Sequence, residues 1–526
     1  MLRASFGFGG GITAPQKTAA LAGYDILREG GTAIEAMVAA AATIAVTYPH
    51  MNGIGGDAFW LIKKEGKKPI GISGCGYSAG EASIEWYEER EIKSEIPTRG
   101  GASCVTVPGA VASWEKALSL VEKPMPILDL LSNAIAYCHN GFAVTQNQSF
   151  CTETKLNELI GVTGFSDAFL LNNQVPEPGS LLKQIALGIT FENLGKYGLD
   201  SFYRGDIART HADFLSKNGS PILLDDLTAF TAEFVEPIKA RISQGLLYNL
   251  PAPTQGVSSL MILALYDKLT GIKVDSANYI HALVEITKRV FIKRNGELGD
   301  QRYMGSNVQD WLSDKILNNL FCNLDLSKAL PWPYNPKKGD TIWMGAVDRE
   351  GTVVSFIQSV FWEFGSGLLC PDTGVFFQNR GAGFSLDPGP NQLFPRKKPF
   401  HTLNPAFAIL NDGRRMAYGS MGGDGQPQTQ SAIFSRYACF NYDLQRAISS
   451  PRWLLGKTWG DTGTSLKLES RFDQSLIKNL KSAGHNVELL SAFSDLVGHA
   501  GAIVLNREGL IEGASDPRSD GSALIF

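Results

Sequence analysis

The stretch PWPYNPKKGDTIWMGAVDREGTVVSFIQSVF, residues 331–361, changes character at its centre. As far as Asp340 it is a run of proline, asparagine, lysine and glycine, the composition of an exposed connection. From Thr341 onward it is rich in β-branched and aromatic residues, and the turn residues Asp348 to Gly351 divide it into two expected strands. A polar loop therefore meets a strand whose first residue, Thr341, carries a hydroxyl.

A threonine with a free α-amino group can act as nucleophile and base together, because that amine titrates at about 7.7–8.0 and lies within reach of the hydroxyl. The chain must first be cut before the threonine. The hydroxyl can do this by attacking the preceding carbonyl to give an ester that water opens. On spacing alone, the plainer reading of Thr341 is a residue that merely begins a strand.

Downstream, GVFFQN (374–379), FAILND (407–412) and AGAIVLN (500–506) read as further short strands separated by Gly, Asp and Asn turns. Upstream, the apolar spacing between Val107 and Phe321 is mostly helical. Gln16 to Tyr48 reads as two helices separated by Gly30-Gly31, the second so rich in alanine that it must pack closely on its neighbours. The glycine turn Asn52 to Asp57 then leads into a strand, AFWLIKK. Dinucleotide loops need a strand before the glycines and a helix after them, so that reading fails here.

Charge and composition narrow the partners. With 48 basic and 52 acidic residues the net charge is -4, which recommends neither nucleic acid nor a polycation and leaves a small molecule as the ligand. The seven cysteines are scattered without a C-x-x-C pair and read as buried thiols of a reducing compartment. The N-terminus lacks a signal-peptide core and no eighteen apolar residues run together, so a cytoplasmic protein without a membrane span is expected. The seven histidines stand isolated, with none placed to share a metal with another. No metal or cofactor is expected.

Six blocks, in order, resemble the γ-glutamyltranspeptidase family along nearly the whole chain. Residues 25–62 resemble its N-terminal helix pair and glycine turn, 104–118 its V-P-G helix entry, and 249–263 its Pro-rich turn and following helix. Residues 341–385 resemble the nucleophile strand through the Phe-Gly-x-Gly segment, 418–430 the Gly-Gly loop, and 509–523 the closing Gly-Ala-x-Asp-Pro-Arg signature. The resemblance implies an α/β protein with a four-layer αββα N-terminal-nucleophile fold. It implies self-cleavage between Asp340 and Thr341, giving segments 1–340 and 341–526 that intertwine as one αβ heterodimer, with an (αβ)2 dimer as a further arrangement. Thr341 would be the nucleophile, Ser359 a supporting hydroxyl, and the backbone N–H groups at Gly422-Gly423 an oxyanion hole. Read without that block, Gly422-Gly423 is an ordinary loop turn.

Departures from the family pattern bear on the substrate. The nucleophile strand reads Thr341-Ile342-Trp343-Met344-Gly345, without the family's second threonine, histidine and serine. Where the family holds an arginine for an α-carboxylate, this chain has ISGCGYSAG and offers Ser73 or its neighbours. Where the family surrounds an α-amino group with Asn, Gln and Asp, this chain has Phe361, Arg380 and Gly383, and its later hydroxyl pair becomes His401-Thr402. Losing an acidic group while gaining an arginine favours an anion over an ammonium. The pattern resembles the branch of oxamate amidohydrolases and glutaryl-cephalosporin acylase-like enzymes, implying a small carboxylate-bearing amide held by Arg380 and hydrolysed. The alternatives are a γ-glutamyltransferase or glutathione hydrolase with a rebuilt headgroup site, an uncleaved non-catalytic member, and, for Arg380 alone, a surface salt bridge.

Overall fold

Alternation along the strands decides the layering. In the strand Asp340–Val347, Ile342, Met344 and Ala346 enter one core and Trp343 and Val347 another. In Asp57–Lys63, Ala58, Trp60 and Ile62 enter the first core and Phe59 and Leu61 the second. Strands that are apolar on both faces must be covered on both. The computed structural model, which describes residues 2–332, 340–456 and 463–526, supplies both covers.

One seven-stranded sheet runs, in spatial order, Ser522–Ile525, Gly11–Ala14, Asp340–Val347, Val353–Phe361, Asp57–Lys63, Ile70–Gly74 and Glu233–Val235. The other runs Ser5–Gly7, Ile511–Ser515, Ala500–Leu505, Arg415–Ser420, Ala406–Leu410, Gly245–Asn249 and Ile238–Ile242. Every ladder in both is antiparallel. Helices including Ala33–Thr47 and Ala110–Leu118 cover the outer face of the first sheet, and Gly256–Tyr266, Ala277–Glu297 and Gly425–Phe434 that of the second. The result is the four-layer αββα sandwich, and each sheet takes strands from both sides of the Asp340-Thr341 bond.

The alanine-rich helix Ala33–Thr47 is buried along all 15 residues and starts on a capping box between Thr32 and Glu35. Trp343 fills the space between the sheets. A Cβ on Gly419 would lie 2.2 Å from its ring and one on Gly501 2.6 Å, while the indole N–H donates to Ser355 Oγ at 3.0 Å. A large residue opposite glycines keeps the two sheets at packing distance.

Several expectations change. The span expected to be mostly helical also contains the strands Glu233–Val235, Ile238–Ile242 and Gly245–Asn249, which extend both sheets. The segment GVFFQN forms no regular strand, because its backbone bonds to loops. Phe377 N–H donates to Leu368 O and Gln378 N–H to Gly55 O, each at 3.0 Å. The second half also carries the helices Gly425–Phe434, Leu444–Ser449 and Gln474–Ser482. Of the seven cysteines, Cys322 is exposed and Cys439 half-buried, so not all are buried thiols. Most of the connection 331–340 lies outside the described residues. Among the described residues no helix is long and apolar enough to cross a membrane.

Candidate active site

The glycine turn delivers a carboxylate. A Cβ on Gly55 would lie 2.0 Å from Phe376 O and one on Gly56 2.1 Å from Ser359 O, so only glycine admits this close approach. Asp57 follows at once, fully buried, on the strand neighbouring that of Ser359 and directly opposite it. Its Oδ1 accepts from Gly76 N at 3.1 Å, Gly109 N at 3.2 Å and Gln378 Nε2 at 3.0 Å. Its Oδ2 pairs with His401 Nε2 at 3.0 Å. One side chain thus joins the ends of four separate segments.

Thr341 lies in the same row. Asp340 opposes Phe361 and Ile342 opposes Gln358, so Thr341 alone faces Ser359 and Val360 at a β-bulge. Bulges re-aim side chains at strand ends. The Asp340 side chain lies outside the described residues. Thr341 is 1 % exposed and Ser359 buried, with Ser359 Oγ accepting from Phe361 N at 2.7 Å. Cys75, next after the Gly74 that opposes Ala58, extends the row. With strands about 4.8 Å apart, Thr341, Ser359, Asp57 and Cys75 span roughly 14 Å across one end of the sheet.

Arg380 closes this end. It stands in the 3₁₀ turn Arg380–Gly383, is fully buried, and its Nε, Nη1 and Nη2 have no hydrogen-bond partner among the described residues. Its guanidinium carbon lies 4.0 Å from the centroid of the Phe361 ring. Burial lowers its pKa to about 10, with Asp57 and Cys75 opposing, so it is protonated at neutral pH. Burial of this degree rules out the surface salt bridge. A buried cation that keeps all its donors free is costly unless something supplies the anion.

His401 is held rather than free. Nδ1 accepts from Leu403 N at 3.3 Å, which leaves the proton on Nε2 for Asp57. Burial first, then the charge of Arg380, lowers its pKa to about 4, while Asp57 opposes, so the ring is neutral near pH 7. The neighbouring Thr402 is buried with a hydroxyl that has no partner among the described residues. Gln255 Nε2 donates to Thr402 O and Gly423 O, both at 2.8 Å, tying this turn to the glycine pair. Gly422 and Gly423 have φ of 112° and 49° and lead into the helix Gly425–Phe434. The adjoining Asp424 is gripped by Arg294 at 2.9 and 3.1 Å, and Arg294 also donates to Gln255 Oε1 at 2.7 Å.

The residues expected from sequence are thus distributed unevenly. Thr341 and Ser359 adjoin on the sheet, and Arg380 and His401 both flank Asp57. Ser73 opposes Phe59 and lines a cavity of about 560 Å³ with Tyr77, Thr254, Arg396 and Lys398, to which Arg380 does not contribute. The cavity shares Phe59 with the His401 site, the two rings lying 4.6 Å apart. Asp57, Gln255, Arg294 and Gln378 were not among the residues singled out from sequence, and the glycine turn that Asp57 ends was the one local signal near any of them. The histidines are not all isolated in space. His281 Nδ1 lies 2.7 Å from His485 Nε2 with Glu285 close by, but Lys288 Nζ already holds Glu285 at 2.6 Å. The second group with ligand chemistry, Asp57, Cys75 and His401, stands beside the Arg380 cation, and its carboxylate is already saturated with donors. Neither arrangement favours a divalent ion.

Comparison with known proteins agrees with this architecture. The γ-glutamyltranspeptidase family profile matches residues 19–526. An oxamate amidohydrolase proenzyme of Klebsiella pneumoniae is 49% identical over 98% of both chains. A glutathione hydrolase-like proenzyme of Bacillus subtilis is 37% identical, again over 98% of both. A cephalosporin acylase from Bacillus halodurans superposes with a TM-score of 0.92 at 28% identity, covering 100% of this chain and 97% of the other. The chain belongs to the γ-glutamyltranspeptidase family of N-terminal-nucleophile hydrolases.

Proposed function

We propose that this protein cleaves itself before Thr341 and then hydrolyses a small amide bearing a carboxylate close to the scissile bond, of the oxamate or glutaryl type. The observation that carries the reading is Arg380, a fully buried guanidinium with three unpartnered nitrogens at the same end of the molecule as Thr341. A substrate carboxylate supplies the missing anion through two parallel hydrogen bonds. The resemblance to an oxamate amidohydrolase supports the same choice.

In maturation, Thr341 Oγ attacks the Asp340 carbonyl carbon, the peptide bond shifts to an ester, and water releases the Asp340 carboxylate and a free Thr341 amine. The two segments stay together as a heterodimer because each sheet uses strands of both. In turnover, that amine takes the hydroxyl proton as Oγ attacks the substrate carbonyl. Gly422 and Gly423 N–H groups, which donate to no acceptor among the described residues, receive the oxyanion. The same proton leaves with the amine product, and water then cleaves the acyl ester. His401, neutral and held by Asp57, takes no proton in this scheme.

Intact mass of purified protein tests the reading. Fragments of 340 and 186 residues are expected from the 526-residue chain, while Thr341→Ala stays whole and inactive. A full-length wild type that releases ammonia from oxamate would refute the mechanism. Turnover of γ-glutamyl-p-nitroanilide in preference to oxamate would favour the γ-glutamyltransferase alternative.

A further inference from the structure

We infer that Phe361 is the specificity-determining residue of this site, restricting it to acyl groups with no ammonium on the carbon beside the carboxylate. The inference rests on the reading of Arg380 as the carboxylate anchor. Phe361 has φ of +85°, a backbone conformation that a bulky side chain rarely adopts. Such strain persists only where the surroundings over-determine it, and it gathers at functional sites. Here the fixing bonds are Phe361 N to Ser359 Oγ at 2.7 Å, Trp362 N to Asn379 Oδ1 at 3.1 Å and Asn379 N to Val360 O at 3.2 Å. They act at the strand end that opposes Asp340, immediately beside Thr341.

The strained turn sets the Phe361 ring against the Arg380 guanidinium, 4.0 Å from carbon to centroid, and both side chains are buried. The ring holds the cation in place through a cation–π contact and leaves its N–H groups for a carboxylate. It also presents hydrocarbon where a substituent next to that carboxylate would lie. An ammonium there would meet a ring face already taken by the Arg380 guanidinium and, beside it, that second cation. Gly383, whose Cβ would lie 3.8 Å from Arg380 Cδ, adds no acidic group to receive one.

The test uses matured enzyme turning over oxamate, with succinamate and L-asparagine as competing ligands that differ only by the α-ammonium. Wild type should bind succinamate at least about a hundredfold more tightly, the cost of burying an ammonium beside the Arg380 cation. Phe361→Leu, which keeps bulk and removes the π face, should raise the KM for oxamate about tenfold with kcat little changed and retain the preference for succinamate. Phe361→Gly, which also relieves the positive φ, should lose most of that preference. Wild-type KM and preference in Phe361→Gly, alongside lost carboxylate selectivity in Arg380→Gln, would overturn the inference and leave the functional reading standing. Unchanged selectivity in Arg380→Gln would overturn that reading instead. If Phe361→Gly fails to mature, Phe361→Ala takes its place, and an unchanged preference for succinamate in that variant overturns the proposal.

Discussion

Replacing Arg380 by methionine should make the protein more stable and less active at once. In the free protein the guanidinium is fully buried with Nε, Nη1 and Nη2 unpartnered among the described residues. An unsatisfied buried polar group costs about 1–3 kcal/mol, and methionine keeps the length of the stem against Phe361 without that group. Unfolding entropy of about 2.1 cal/mol/K per residue makes roughly 1.1 kcal/mol/K for 526 residues unfolding as one unit, so Tm should rise by about 1–3 °C. Activity moves the other way. Loss of a charge-assisted bond of about 1.5–3 kcal/mol lowers kcat/KM on oxamate roughly 10- to 150-fold. Calorimetry with and without the competitive ligand succinamate reads both effects. At a hundred times its dissociation constant the ligand should stabilise wild type by about 2.7 kcal/mol, near 2–3 °C on the same scale, and leave the variant unmoved. A fall in Tm, or a retained ligand shift, would show that Arg380 is a structural group and refute the argument.

Three further outcomes are expected. His401 is lowered to about 4 from an ordinary 6.5, so between those values the unfolded chain takes up a proton that the native ring refuses. Stability from this group is therefore present above pH 6.5 and is lost as pH falls towards 4, by roughly 3 kcal/mol. Denaturant titrations at pH 7 and 4.5 should show a smaller acid loss in His401→Gln, while the acidic limb of kcat/KM stays with the Thr341 amine. Gly56→Ala would set a Cβ 2.1 Å from Ser359 O and should abolish soluble, self-cleaved protein on a denaturing gel, whereas Gly80→Ala, whose nearest neighbour is at 3.5 Å, should mature normally. Gly383→Asp has room at Cβ, 3.6 Å from Phe400 O and 3.8 Å from Arg380 Cδ. Its carboxylate should pair with Arg380 and raise the KM for oxamate at least about tenfold while raising Tm.

What the sequence determined by itself was local or carried in ordered blocks. The residues of Asp340–Val347 and Val353–Phe361 are β-branched and aromatic and are divided by turn residues, so the strands could be read from them directly, while the four layers followed only from the family resemblance. The helix Ala33–Thr47 announced its burial through its alanines, and the order of six blocks specified the family. Short-range signals failed where a segment's partner is remote. The strands Glu233–Val235, Ile238–Ile242 and Gly245–Asn249 sit in a helical neighbourhood and exist because sheet edges elsewhere receive them. GVFFQN has strand composition, yet its amides bond to loops.

Only the tertiary structure decided how the site is charged. Asp57, Cys75, Arg380 and His401 are separated by up to 344 residues and meet because two sheets end at the same place. Nothing in the sequence around Asp57 distinguishes a turn residue from the hub that holds His401, Gln378 and two backbone amides. The identity of Arg380 was plain in the sequence, but not its burial with empty donors against a strained Phe361. Hydrophobic periodicity is a property of neighbours in the chain, whereas the cost of a buried charge depends on every group folded around it, and that sum exists only once the sandwich has closed.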